Sequence, residues 1–228
     1  MLKNAIKKFI LPSGVIHPKY LNYVKWSCFS NVVISMENVL GTHSMLNVLG
    51  KSSTELTLSV NFIGKDLIGQ LGALTYISKM GKKADSDTKK FIKYSMILQQ
   101  SSCWLESLTP FLPINVFILV AGFSNIMMNI SFTGFGAINA KIISRLAFYE
   151  EVKPDQTSDI KEKQKLDNIG EIYSKLSVIN TFGSSFGMSL GLAVIAIVPD
   201  HSTRLCILPV LTMLRIYSYN KAIEDLLD

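Results

Sequence analysis

Two uncharged runs constrain this chain more than any other feature. Residues 107–140 contain no Asp, Glu, Lys or Arg over 34 positions, and residues 176–199 contain none over 24. An α-helix needs about 20 predominantly apolar residues to cross the hydrocarbon core of a bilayer. A soluble chain of 228 residues has little interior in which to hide two such helices. Composition points the same way. Charged residues make up 18% of the chain, against about 25% in an ordinary soluble domain, and the mean hydropathy is +0.31. The expected fold class is all-α: a polytopic helical membrane protein with about four to six membrane-embedded helices.

The longer run exceeds one straight span. Pro110 and Pro113 mark its start, and the glycine-rich SFTGFGA, 131–137, predicts a bend or break. The expectation is a span from about Leu112 to Phe132 and a further helix to about Tyr149. The second run places Gly183, Gly187 and Gly191 four residues apart, with Asn180 and Ser184 on the same side. A doubled GxxxG pattern predicts close helix–helix packing, with Phe182 and Phe186 projecting elsewhere. Further on, LCILPVLTML lies between Arg204 and Arg215. It reads either as a kinked span with both arginines snorkelling or as a re-entrant piece. Residues 23–49 carry Lys25, Glu37 and His43 in an otherwise moderately apolar stretch, which suits an interfacial helix or a polar inner span. The chain thus divides into an N-terminal amphipathic segment, 1–22, and a single helical membrane domain, 23–228. Polar loops are expected at about 78–93 and 150–175, where charge is dense.

The net charge is +6, and lysine supplies most of the positive groups. The lysines at 79, 82, 83, 89, 90 and 93 suit a juxtamembrane segment facing anionic lipid, on the cytoplasmic side by the positive-inside rule. Nucleic acid is not expected as a partner, because no stacking aromatics interleave with them. Cys28, Cys103 and Cys206 are odd in number, far apart and without metal-ligand spacing to the histidines, so reduced buried thiols and no metal are expected. The lysine-rich start, with no acidic residue before Glu37, lacks the apolar core and cleavage site of a secretory signal.

NFIGKDLIGQLGALTYI, 61–77, holds Lys65 and Asp66 as its two charges. At 100° per residue, Leu56, Val60, Ile63, Leu67, Leu71 and Leu74 form one narrow stripe. Asn61, Lys65, Asp66, Gly69, Gln70, Gly72 and Ala73 occupy the other side. A solvated face would carry several Lys and Glu. Glycines at 64, 69 and 72 would weaken a soluble helix by roughly 1 kcal/mol each, yet they suit a neighbouring helix packed close. Charges held inside a membrane are costly and point to function. Lys65 and Asp66 project about 100° apart, so each is expected to find a partner on another helix.

Several enzyme motifs fail on context. G-S-S-F-G, centred on Ser185, lies within one helical stretch and lacks the strand of a nucleophile elbow. GKDLIGQL has the glycine spacing of a P-loop without its Lys-Ser/Thr. DSD, 85–87, could pair carboxylates on a metal, but a helix N-cap between basic runs fits better. No catalytic constellation and no cofactor are identified, so an enzyme is not expected.

These pieces, in this order, resemble the root UVB sensitive (RUS) family, also described as the vitamin B6 photo-protection and homoeostasis domain, from about Phe9 to Leu226. FILPSGVIHPKYLNYVKW resembles the family opening. KDLIGQLG resembles its KDGxGxxG, keeping Lys65, Asp66, Gly69 and Gly72. DSDTKKF resembles DxDxKxW with Asp85, Asp87 and Lys89, and LESLTPFLP resembles LExLxPxxP with Glu106, Pro110 and Pro113. LRIYSYNKAI resembles the family ending and keeps Tyr217 and Ala222. The departures mark a divergent member: Leu67 replaces the first glycine, Ile138-Asn139 replaces a Thr-Arg, and Arg215 stands at a late His. NIGEIYSKLS retains Asn168 and Lys175 of a longer family motif.

The resemblance implies a helical, membrane-associated protein, linked in plants to UV-B responses, auxin transport and vitamin B6 homeostasis. It also implies protein partners, another family member among them, beside membrane lipid. The leading expectation is a transport-like or small-molecule-handling integral membrane protein, in an organelle or endomembrane. Lys65, Asp66 and Glu106 would line a polar interior. The alternative is a non-catalytic membrane scaffold that uses its polar loops for partners. A third reading, a vitamin B6 enzyme with Lys65 as Schiff base, lacks a phosphate cradle.

Overall fold

The computed structural model describes residues 10–13, 17–52, 60, 63–72, 74, 76, 87–113, 116–147, 158–224 and 226, excluding the side chains of 51, 52 and 158–168. Among these, every regular element is helical. Helix α1 spans Tyr20–Ser52, α2 Thr88–Leu108, α3 Phe117–Ala147, α4 Ser158–Ile197, α5 His201–Leu205 and α6 Leu208–Ile223. Residues 63–72 form a further helical segment. Asp87 caps α2 by accepting from the Lys90 backbone N–H at 3.1 Å. Asp200 caps α5 through the Thr203 N–H at 2.7 Å. Each carboxylate satisfies a donor that a helix start otherwise orphans. Pro110 lies in a 3₁₀ turn, Thr109–Phe111, which with Pro113 separates α2 from α3.

Helix α1 is the hub, packed against α4, α6 and α2, while α3 packs mainly on α2. The α1–α4 contact is a near approach of backbones. A Cβ on Gly183 would sit 2.9 Å from the Cys28 carbonyl oxygen, and one on Gly191 would sit 2.9 Å from Val39 Cβ. One on Gly187 would run into the Val32 carbonyl oxygen. Asn180 accepts from Ser27 Oγ at 3.2 Å and from Asn31 Nδ2 at 2.9 Å on the same face. Between α2 and α3 the small residues are serines: Ser131 Oγ donates to the Ser95 carbonyl at 2.7 Å, and Ser102 and Ser124 hydroxyls meet at 2.8 Å. The largest apolar cluster, including Tyr23, Ile92, Ile142, Leu146, Leu176 and Tyr219, joins α1, α2, α3, α4 and α6.

The outer surface is unusually apolar. Phe182, Phe186, Leu119, Met213 and Ile197 are all exposed. In the 63–72 segment the ordinary rule is inverted: Ile63, Leu67 and Leu71 face outward, and Lys65 and Gly69 are buried. Among the described residues, two helices are long and apolar enough to cross a membrane, Phe117–Ala147 and Ile169–Ile197.

Several local expectations are corrected. Helix α3 starts at Phe117 and runs unbroken through 131–137 to Ala147. Gly134 serves contact there, since its Cβ would collide with Ser95 Oγ, and a glycine without a proline leaves the helical hydrogen bonds intact. The expected loop 150–175 is helical from Ser158, because its Lys, Glu, Gln and Leu are good helix formers. Residues 88–93 of the other expected loop are the first turns of α2. Arg204 and Arg215 do not snorkel. Both are 5% exposed. Arg204 donates to the Pro199 carbonyl at 3.1 Å and meets His43 Nδ1 at 2.8 Å. Cys103 is buried as expected, Cys28 is half-buried and Cys206 is exposed. Residues 1–9, 78–86 and 150–157, Asp85 among them, lie outside the described residues.

Candidate functional site

Among the described residues, two clusters of buried polar side chains centre on carboxylates inside this apolar exterior. The first gathers the sequence-derived candidates. The 63–72 segment turns its small-residue face towards α3, and Lys65 Nζ lies 3.2 Å from Asp66 Oδ1. The two neighbours pair with each other as well as, for Asp66, with the expected partner on another helix. Lysine's long flexible stem spans the angle between adjacent positions. Asn125 Nδ2 on α3 reaches both the Lys65 carbonyl, at 3.1 Å, and Asp66 Oδ1, at 2.9 Å. A Cβ on Gly69 would stand 2.6 Å from Asn125 Nδ2, and one on Gly72 would stand 2.6 Å from Ile126 Cγ1. These glycines bring the segment close enough for Asn125 to bond. Lys65 is nearly enclosed, whereas the Asp66 side chain is 55% exposed.

Glu106, near the end of α2, belongs to the same cluster. It is buried, and Ser124 Oγ lies 3.1 Å from its Oε1. Its other oxygen lies over Gly41 of α1, where a Cβ would come within 2.8 Å. Ser124 and Asn125, adjacent on α3, thus reach Glu106 and Asp66 respectively. The structure therefore brings Lys65, Asp66 and Glu106 into one neighbourhood at the junction of the 63–72 segment with α1, α2 and α3.

The second cluster lies between α1, α2 and α6. Glu37 is wholly buried, accepting from Gln100 Nε2 at 2.9 Å and lying 3.2 Å from Thr212 Oγ1. Trp104 Nε1 donates to the Thr212 hydroxyl at 3.1 Å. Arg215 donates to Gln99 Oε1 at 3.1 Å and to the Ser30 hydroxyl. Its guanidinium carbon lies 5.6 Å from the centre of the Phe135 ring and 5.3 Å from that of Tyr219, within cation–π range. Glu37 and Arg215 thus place opposite charges in one enclosed centre, each held by neutral amides and hydroxyls. Among the described residues, Arg215 Nε has no hydrogen-bond partner.

Sequence reasoning missed this cluster as a site. Its signals were present: Glu37 is the one acidic residue between positions 1 and 54, and Gln99-Gln100-Ser101-Ser102 interrupts an apolar helix. Arg215 was singled out as a departure from a family pattern, not as a centre. The other family-motif positions are scattered. Asp87 caps α2, Lys89 is exposed on its first turn, and Tyr217 packs edge-on against Trp26 at 5.5 Å between ring centres. Ile138 is core, and Asn139 accepts from Tyr23 Oη at 3.2 Å. No group of three His, Cys, Asp or Glu side chains able to hold a metal occurs among the described residues.

Two cavities adjoin these elements. One of about 340 Å³ is lined by Asn139, Ser177, Asn180 and Ser184. The other, of about 790 Å³, is a groove between α2, α3 and α6, lined by Lys93, Ile97, Gln100, Trp104, Phe123 and Asn220 among others. Its volume falls in the range of small-molecule sites. Gln100 and Trp104, which hold Glu37 and Thr212 on one side, form part of its wall on the other.

Comparison with known proteins places this arrangement in context. The sequence model of the vitamin B6 photo-protection and homoeostasis domain matches residues 1–226. The protein root UVB sensitive 4 of Arabidopsis thaliana is 26% identical over 208 residues, covering 90% of this chain and 36% of the relative. Root UVB sensitive 5 of the same plant is 27% identical over 138 residues, 55% of this chain and 27% of the relative. Root UVB sensitive 3 is 21% identical over 182 residues, 78% of this chain and 37% of the relative. The chain spans about a third of the length of the curated relatives it matches. No solved structure matches.

Proposed function

The chain belongs to the vitamin B6 photo-protection and homoeostasis domain family, and we propose that it is an integral membrane protein that handles a small molecule at its polar interior. One observation carries this reading: two carboxylates, Glu37 and Glu106, and two basic groups, Lys65 and Arg215, are all buried behind an apolar outer surface. Burying ionisable groups in a low-dielectric interior is expensive, and they persist in membrane helices chiefly on substrate, ion or proton pathways. In this reading α3 and α4 cross the bilayer and α1, α2, α6 and the 63–72 segment complete the embedded bundle, within about four to six embedded helices. The chemistry available is recognition of a polar solute by charge and hydrogen bonds. No nucleophile–base pair is involved.

Carbonate extraction tests the membrane placement: the protein stays in the pellet, and release into the supernatant overturns it. Liposome uptake tests the handling. Pyridoxine and pyridoxal are the first probes, because the family description names vitamin B6. Glu37→Gln and Glu106→Gln abolish uptake while expression persists. A scaffold instead keeps cellular function with both changed and loses it when 158–175 is replaced. A borohydride-trappable pyridoxal adduct at Lys65 would move the reading towards covalent chemistry.

A further inference from the structure

The groove between α2, α3 and α6 has two unlike ends. Lys93, Ile97, Gln100, Trp104 and Leu108 succeed one another down one face of α2, a rise of about 22 Å. Helix α6 runs antiparallel to α2, since Trp104 and Gln100 both meet Thr212 while Gln99 meets Arg215. Asn220 therefore falls towards the Lys93 end. Helix α3 is antiparallel as well, since Ser102 meets Ser124 and Ser95 meets Ser131. Met127 and Phe123 therefore line its middle, level with Gln100 and Trp104, and Leu105 and Leu108 carry the opposite end. At the first end α2 begins, with Lys89, Lys90 and Lys93 exposed and the positive pole of the helix dipole. The far end has no charged lining residue.

We propose that this groove holds one acyl chain of an anionic phospholipid, with the phosphate at Lys93 and Asn220 and the tail along Ile97, Trp104 and Leu108. The inference rests on the membrane reading above. Charge complementarity selects the headgroup, and the apolar trough selects the tail. Trp104 is a fixed wall because its indole N–H is tied to Thr212 at 3.1 Å. Gln100 forms part of the groove and donates to Glu37 at 2.9 Å, so the bound chain lies one side chain away from the buried carboxylate.

The test is native mass spectrometry of the full chain, purified in detergent, stripped of lipid and offered phosphatidylglycerol and phosphatidylcholine at equal concentration. The wild type retains phosphatidylglycerol about fivefold better. Lys93→Glu removes the preference without moving the thermal midpoint, and Ser101→Trp, which fills the groove, lowers retention of both lipids. Equal retention by the wild type overturns the proposal, as does an unchanged preference in Lys93→Glu or a copurifying polypeptide covering this face. Carbonate extraction of the same protein separates the two readings. Release to the supernatant overturns the membrane placement itself. A protein that stays in the pellet but shows no lipid preference overturns the groove alone.

Discussion

The two buried polar clusters reach the interior by opposite routes. Lys65 and Asp66 are adjacent in sequence, pair with each other and lie at a margin where Asp66 remains more than half exposed. Glu37 and Arg215 are 178 positions apart by their numbering, are not directly paired, and are each enclosed by neutral groups from two or three helices. Asp66 keeps much of its hydration and gains little from the contact, although Lys65 beside it is nearly enclosed. Enclosed charges depend on every ligand they have, because losing one leaves a charge with neither protein nor water around it. The visible pair is therefore the mechanically minor one, and the hidden pair holds three helices together.

This contrast can be broken by substitution. Arg215→Ala is expected to have the largest effect, about 3–5 kcal/mol, because it removes the positive charge from Glu37's enclosed centre and leaves Gln99 and Ser30 without their donor; chemical unfolding in detergent measures it, and a loss below that of Asp66→Asn would reverse the ranking. Gln100→Ala removes the donor to Glu37 and costs about 1–3 kcal/mol by the same measurement. Asp87→Ala lies far from both clusters and reports the price of a helix cap alone, about 1 kcal/mol, read from unfolding and from far-ultraviolet circular dichroism. Asp66→Asn is the smallest, at most about 1 kcal/mol. If Asp66→Asn nonetheless abolishes uptake in liposomes, the margin and the centre divide the labour: one touches the solute and the other holds the fold.

How much of this was legible in the sequence follows from the range of each signal. Glycines four apart are a local pattern, and α4 does turn Gly183, Gly187 and Gly191 to α1. The inverted face of the Lys65 segment is also local, since periodicity alone separates its aliphatic stripe from its small residues. Errors arose where one residue type serves two ends. Gly134 looked like a helix breaker and is a packing surface for Ser95. The charge of 158–175 looked like a loop and is a helix, because lysine and glutamate suit both. The Glu37–Arg215 centre was least legible. Its bonds join residues 63, 116 and 185 positions apart, and no local period encodes such a meeting.

The glycines also differ in what stands opposite them, and this bears on the genetics of the protein. At Gly69 and Gly72 the obstacle to a larger residue is a side chain, Asn125 or Ile126. A smaller residue in α3 can restore the room, so a second-site suppressor exists in principle. At Gly187 the nearest obstacle is the backbone of Val32. Every amino acid at position 32 carries the same carbonyl, so trimming that residue cannot compensate. Suppressor screens should therefore recover partners for lesions at 69 and 72, and for a lesion at 187 should return reversion to glycine.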